Sequence, residues 1–383
     1  MWIKSFKQVL TYEYLKIFCI PFNKSGEKGM AKRGLKYVLI VLVVAVIILI
    51  VVCFPLIKSA TNQNLDKTFF GEKSEYLGVI ELWHIDTFEG GTASRSRWLE
   101  KRAIEFESEN KGLYIFVKNV SVSELENLLE AGNMPDLFSF SQGVQEQIKP
   151  YLAQINQENF KNVNSTLLES GKAENGLLAV PFCYSGYMLI SQMSTALNAY
   201  NEAGNLSKIL FETGYTKKVG KKEKSVYSCV YGGGGKTSPK NIIESLSLEK
   251  NDLSVLPESE TLSSYEAYTE FVSGNANILV GTLRDVARIE NKVQAGAMEN
   301  VIMEPFSEFT DMVCYLGYTN AFGELRAKYA SKFIEFCLSE KNQQKVANLG
   351  MLSPVVSNLY SSGLIKTLEE MFSNKLECKN LFL

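Results

Sequence analysis

The chain contains one histidine, His84. A histidine-based catalytic triad and a metal site built from several histidines are both excluded by that count. Tryptophan is almost as scarce. Beyond residue 57 only Trp83 and Trp98 occur. Cysteine offers no framework either. Cys183, Cys229, Cys314, Cys337 and Cys378 form an odd, irregularly spaced set, which reads as buried apolar thiols rather than disulfide staples. No strong excess of one charge is present: the net charge is −2. No internal repeat or low-complexity tract is present, and no pattern calls for a cofactor or a metal. The run YGGGGKTS at 231–238 is not a phosphate loop. The pattern GxxxxGK[ST] would need Gly at 230, and that residue is Val230.

What is there in abundance is one apolar run. Residues 37–57, YVLIVLVVAVIILIVVCFPLI, are 21 in number and carry no charge. As a helix they would span about 30 Å, the thickness of a bilayer's hydrocarbon core. The run predicts a single transmembrane helix and thus a membrane association. Residues 1–36 hold eight Lys or Arg against two Glu, a net +6, which leaves −8 for the rest. Basic segments stay on the cytoplasmic side, so the tail 1–36 is expected inside and everything after residue 57 outside. The apolar core is longer than that of a secretory signal, and no small-x-small site follows closely, so an uncleaved anchor is expected. The mildly acidic outer part argues against nucleic acid as a partner.

Residues 58–76 are polar and read as a tether. Strands are then predicted at 77–85, 113–117 and 136–140. Between them lie helices that begin near Ser94 or Ser96 and at Ser123. This alternation implies βαβ units and a parallel sheet. Further on, 176–190 (GLLAVPFCYSGYMLI) reads as two short apolar runs broken by Pro181 and Gly186. A strand is expected at 225–231, a helix from Ser264 to Gly274 and a buried strand at 277–280. That strand leads through Gly281 into a helix. A strand at 312–317 and a helix through Phe333 and Cys337 follow.

Candidate binding residues sit where strands end. The loop His84–Gly91 follows the first strand, where open α/β sheets bind ligands. There Asp86 and Glu89 could accept hydrogen bonds, and Gly90 lets a ligand approach the backbone; a plain turn with a capping carboxylate is the alternative. Ser139, Phe140 and Ser141 end the third strand. Tyr184, Ser185 and Tyr187 offer rings that could stack on a small polar ligand and hydroxyls that could orient it. Gly281, Thr282 and Arg284 open a helix, and Arg284 could fork to a carboxylate or phosphate. Phe309 and Asp311 precede the last strand. Asp86 and Glu89 could also pose as a glycosidase pair, but two nearby carboxylates are common, and no enzyme is expected.

Five segments in order resemble the extracellular solute-binding proteins of family 1, which feed ABC importers and often take sugars. They are ELWHIDTFEGG at 81–91, GNMPDLFSFS at 132–141, AVPFCYSGYMLI at 179–190, FVSGNANILVGTLRDV at 271–286 and FIEFCLSEKNQQKVANLGMLSP at 333–354. The resemblance implies an α/β, two-lobed, periplasmic-binding-protein-like fold of type II, here preceded by a transmembrane helix. It implies a small-molecule ligand, a sugar by preference, held between the lobes, and ABC permease subunits as partners. Residues 77–182 and 281–310 are assigned to the first lobe, and 183–280 and 311–383 to the second. Crossings are expected near 181–186, 275–282 and 309–317. The loops at His84–Gly91, Ser139–Ser141 and Gly281–Asp285 are expected at one edge of the first lobe, with Tyr184, Ser185 and Tyr187 facing them and Phe309 and Asp311 near the floor. A tethered sensor on the same fold is the alternative, and the basic tail favours it. The expected location is a single-pass position in the cell membrane, N-terminus inside. Protease added to intact cells should therefore digest the part after residue 57 and spare an epitope on the tail; loss of the tail epitope would reverse the orientation.

Overall fold

The computed structural model describes residues 72–203, 206–210, 214–219, 222–250 and 253–382. The basic tail, the apolar run 37–57 and the tether up to residue 71 lie outside the described residues. Among those described, no helix is long and apolar enough to cross a membrane.

The first strand, β1 (Glu72–His84), starts five residues earlier than its apolar pattern. Its head pairs through Glu72–Asn110 and Lys73–Lys111, and the register then shifts before Gly78. Residues 72–76 are thus strand rather than tether. Helix α1 (Arg95–Glu109) follows, capped by Ser94, whose hydroxyl accepts the Arg97 amide. Strand β2 (Asn110–Asn119), helix α2 (Val122–Glu130) and strand β3 (Leu137–Ser141) complete two parallel βαβ units. The first sheet is finished by β4 (Val180–Tyr184) and by a strand from far down the chain. Five residues of β3 are buried because it has a strand on either side.

The second sheet begins at once with β5 (Tyr187–Gln192). It also holds β6 (Tyr215–Val219) and β7 (Lys222–Tyr231). Helix α3 (Ser264–Val272), with a Ser263/Glu266 capping box, leads to β8 (Ala276–Thr282). Helix α4 (Leu283–Gln294) follows directly, with a Thr282/Asp285 capping box, and then β9 (Val301–Pro305). The short strand β10 (Phe309–Thr310) precedes β11 (Val313–Tyr318), which returns to the first sheet. Helices α5 (Glu324–Cys337) and α6 (Leu364–Asn374) and the short strand β12 (Glu377–Cys378) end the chain. The orders are β2-β1-β3-β11-β4 and β9-β5-β8-β7-β6.

This topology corrects the segment assignment. Strand β8 is hydrogen-bonded to β5 on one side and to β7 on the other. Residues 281–310 therefore run with the second lobe. Strand β11, taken above for the second lobe, lies between β3 and β4. The crossing expected at 275–282 is instead a strand inside the second sheet. The real crossings are Ser185–Gly186 and residues 306–312. A third passage takes the C-terminal segment to α6, which packs on β9, and back through β12, which pairs with β10. The local βα pattern was correct in each case, but a strand's pattern does not name its neighbours.

One buried cluster runs across both sheets, from Phe138 and Phe140 to Ile190 and Leu279, and each lobe also has a core of its own. In the first, Trp98 stacks on Phe182 at 5.6 Å, and Phe106 meets Phe333 edge-on at 5.4 Å. Phe333 is fully buried between α1 and α5. Phe333→Ala should cost about 3–5 kcal/mol through lost burial and the cavity left behind, measured by denaturant unfolding. A change under about 1 kcal/mol would mean that α5 does not pack there as described.

Candidate functional site

The site forms where the loop after β1 meets the start of α4 across the two lobes. Its organiser is Arg95, which is 5% exposed. The Arg95 Nε donates to Asp86 Oδ1 at 2.9 Å, and its Nη2 donates to the Phe88 carbonyl. Its guanidinium also lies over the Phe88 ring, 4.2 Å from the centroid. One cation therefore shapes the whole 86–88 turn. Behind it, the His84 Nδ1 and the Ser139 Oγ are 2.8 Å apart, and the His84 Nε2 lies 2.8 Å from Asp86 Oδ1. Gly91 must be glycine here. A Cβ would sit 2.4 Å from the Leu349 carbonyl oxygen, to which the Thr92 amide donates.

From the other lobe, Arg284 Nη1 donates to the Thr92 carbonyl at 2.7 Å, and Arg288 Nη2 pairs with Glu89 Oε2 at 2.7 Å. Ser185 at the crossing donates to the Gly90 carbonyl at 2.7 Å. The loop, the start of α1 and Arg284 border a cleft of about 240 Å3, lined by Asp86, Phe88, Glu89, Gly90, Gly91, Ala93, Ser94, Arg95 and Arg284. A narrower extension reaches Tyr187, Gly232, Thr237, Gly281 and Thr282. Tyr187 donates to Asp311, which also accepts the Ser238 amide at 3.0 Å, so the glycine run 231–238 is part of the wall. Burial pushes the Asp311 carboxyl up, against the pull of those two donors.

The candidates thus separate. Asp86, Glu89, Gly90 and Arg284 share the main cleft, while Tyr187, Gly281 and Thr282 line the extension. The loop Gly281–Asp285 belongs to the second lobe and reaches the cleft from the opposite side to that expected. Ser139, Phe140 and Ser141 do not reach the cleft. All three are buried: Ser139 holds His84, Phe140 packs near Tyr315, and Ser141 donates to the Cys314 sulfur. The three side chains are spent on contacts within the first lobe. His84 supports the loop from below. Tyr184 is displaced as well. Its backbone is bridged to Leu352 in both directions, its ring packs on Phe372, and it lines a separate cavity of about 240 Å3 with Asn164, Ser353 and Glu369. A border shared by Asp86, Ser139, Tyr184 and Arg284 is therefore not found. Phe309 lies in β10 against β12, outside both spaces. As for the glycosidase pairing, Asp86 and Glu89 are each committed to an arginine.

Sequence reasoning missed Arg95 and Arg288. The segment SRSR at 94–97 directly follows the loop. Its first arginine points back into the loop, and that is not visible from spacing. Among the described residues no cluster of His, Cys, Asp and Glu could hold a metal ion.

Asp86 carries a pH signature. Partial burial opposes its ionisation, but His84 and the Arg95 charge prevail and hold the carboxyl at about 2. Unfolded, it would titrate near 3.9. Its folded value is depressed, so its contribution to stability is complete above about pH 4 and is lost as the pH falls towards 2. The melting-temperature gap between wild type and Asp86→Asn should be constant above pH 4 and close between pH 4 and pH 2. A gap independent of pH would remove the Asp86–Arg95 pairing.

No family model matches the sequence, and no curated protein matches it. Solved structures do. The GacH receptor of Streptomyces glaucescens, described unliganded and with acarbose, is 14% identical, over 80% of this chain and 89% of that one, at a TM-score of 0.53. Maltose-bound MalE3 of T. maritima is 13% identical over 79% and 90%, at 0.52. The MalE domain of Bdellovibrio bacteriovorus bound to maltotriose is 13% identical over 80% and 89%, at 0.51. At such identities the likeness concerns architecture, and the chain has the α/β, two-lobed, periplasmic-binding-protein-like fold.

Proposed function

We propose that the protein is a solute-binding protein of the extracytoplasmic face, tethered by residues 37–57, that captures a saccharide for an ABC importer. One observation carries the reading: the loop after β1 and the first turn of α4 come from different lobes and meet across a polar cleft. The lobes are joined by a few crossing segments, so the cleft can open by rotation about them. The neighbouring structures named above were solved with sugars or sugar-like ligands, and this supports a saccharide as ligand. The protein would do no chemistry. Ligand would favour the closed form by its differential affinity, and the closed form would present both lobes to permease subunits. A sensor on the same fold is the second reading, favoured by the eight Lys and Arg of residues 1–36.

The full chain in detergent should be screened by thermal shift against neutral and acidic oligosaccharides. At a hundredfold excess over Kd, a true ligand should add about 2.7 kcal/mol of stability. With that ligand, neutron scattering at the detergent match point should show a smaller radius of gyration. No shift with any saccharide would sink the proposed function. A shift without compaction would remove only the hinge closure.

A further inference from the structure

Most charged side chains of the main cleft are paired. Asp86 is matched by Arg95, and Glu89 by Arg288. Arg288 also serves Asp285, a buried carboxyl that burial pushes towards the neutral form. Arg284 has no such match. It is half-buried, lines the cleft and donates only Nη1, to a backbone carbonyl. Among the described residues it makes no ion pair. Its guanidinium faces the cleft with one edge of its fork uncommitted, an arrangement of donors that a carboxylate matches. Its place deepens the mismatch, because it sits in the first turn of α4, where the helix dipole disfavours a cation.

The means of holding a neutral sugar are correspondingly thin. Among the described residues Phe88 is the one ring lining this cleft, and Arg95 already lies on it. Of the tyrosines that the sequence offered as stacking rings, Tyr184 lines a separate cavity, and Tyr187 lies in the narrow extension with its hydroxyl committed to Asp311.

We infer that the ligand is a saccharide bearing a carboxylate, and that Arg284 receives the carboxylate through its free edge. This rests on the saccharide-binding reading above and specifies the substrate class. Asp86, Glu89 and the loop carbonyls remain to accept hydroxyl donors from the sugar.

The test uses the full chain in detergent and calorimetric titration with trisaccharides of galacturonate, glucuronate, mannuronate and guluronate. Each is paired with its methyl ester, which keeps the shape and removes the charge. At least one acid should bind about tenfold or more tighter than its ester, and the difference should shrink as salt rises. Arg284→Gln should erase the difference, and Arg284→Lys, which keeps the charge without the fork, should retain part of it. Arg97→Gln, an exposed position outside the cleft, should leave it intact. Acid and ester binding equally, a preference that survives Arg284→Gln, or binding of neutral saccharides alone would overturn the inference and leave the proposed function standing. No binding by any acidic, esterified or neutral saccharide would end both.

Discussion

The site depends on one buried guanidinium. Arg95 reaches back from the first turn of α1 and engages both the Asp86 carboxylate and the Phe88 carbonyl. A buried arginine without such partners would be strongly destabilising, so the loop must adopt the turn that supplies them. That turn sends Glu89 towards the second lobe and brings Gly90 under Ser185. Gly91 and Thr92 are then laced to Leu349 by a contact that tolerates no Cβ. The cleft's first wall is therefore set from inside the lobe.

The second wall is set by a helix start. Thr282 ends β8 and caps α4, and Asp285 closes the box. This fixes the direction in which α4 leaves the sheet, and with it the positions of Arg284 and Arg288, which face the loop. The two walls touch through an ion pair and a hydrogen bond to a carbonyl, both partly open to solvent. Contacts of that kind contribute little net stability. They contrast with the apolar packing inside the first lobe, such as Trp98 on Phe182.

Much of the architecture was legible in the chain. Every βα unit discussed was visible from periodicity and turns, because those signals are local: Ser94 and Thr282 cap the helices that their neighbourhoods announce. The loop at 84–91 was legible as well, since a strand end before a helix is a standard ligand position in α/β sheets. The pairing of strands was not. β8 and β11 carry similar buried runs, and nothing within either run says which sheet will flank it. Exchanging the two sent Arg284 to the wrong lobe and moved a crossing into the middle of a sheet.

By itself, then, the sequence determined the principal helices and the central strands, though not β6 or β9, together with the residues at strand ends and the apolar, uncharged run at 37–57. Those follow from the periodicity of neighbouring side chains along one backbone. Only the tertiary structure decided that Tyr184 faces Phe372 rather than the cleft, that Ser139 serves His84, and that Arg95 rather than a tyrosine organises the site. Those outcomes depend on contacts between residues far apart in the chain, such as Tyr184 with Leu352 and Arg284 with Thr92, and no local pattern records a partner 168 or 192 residues away.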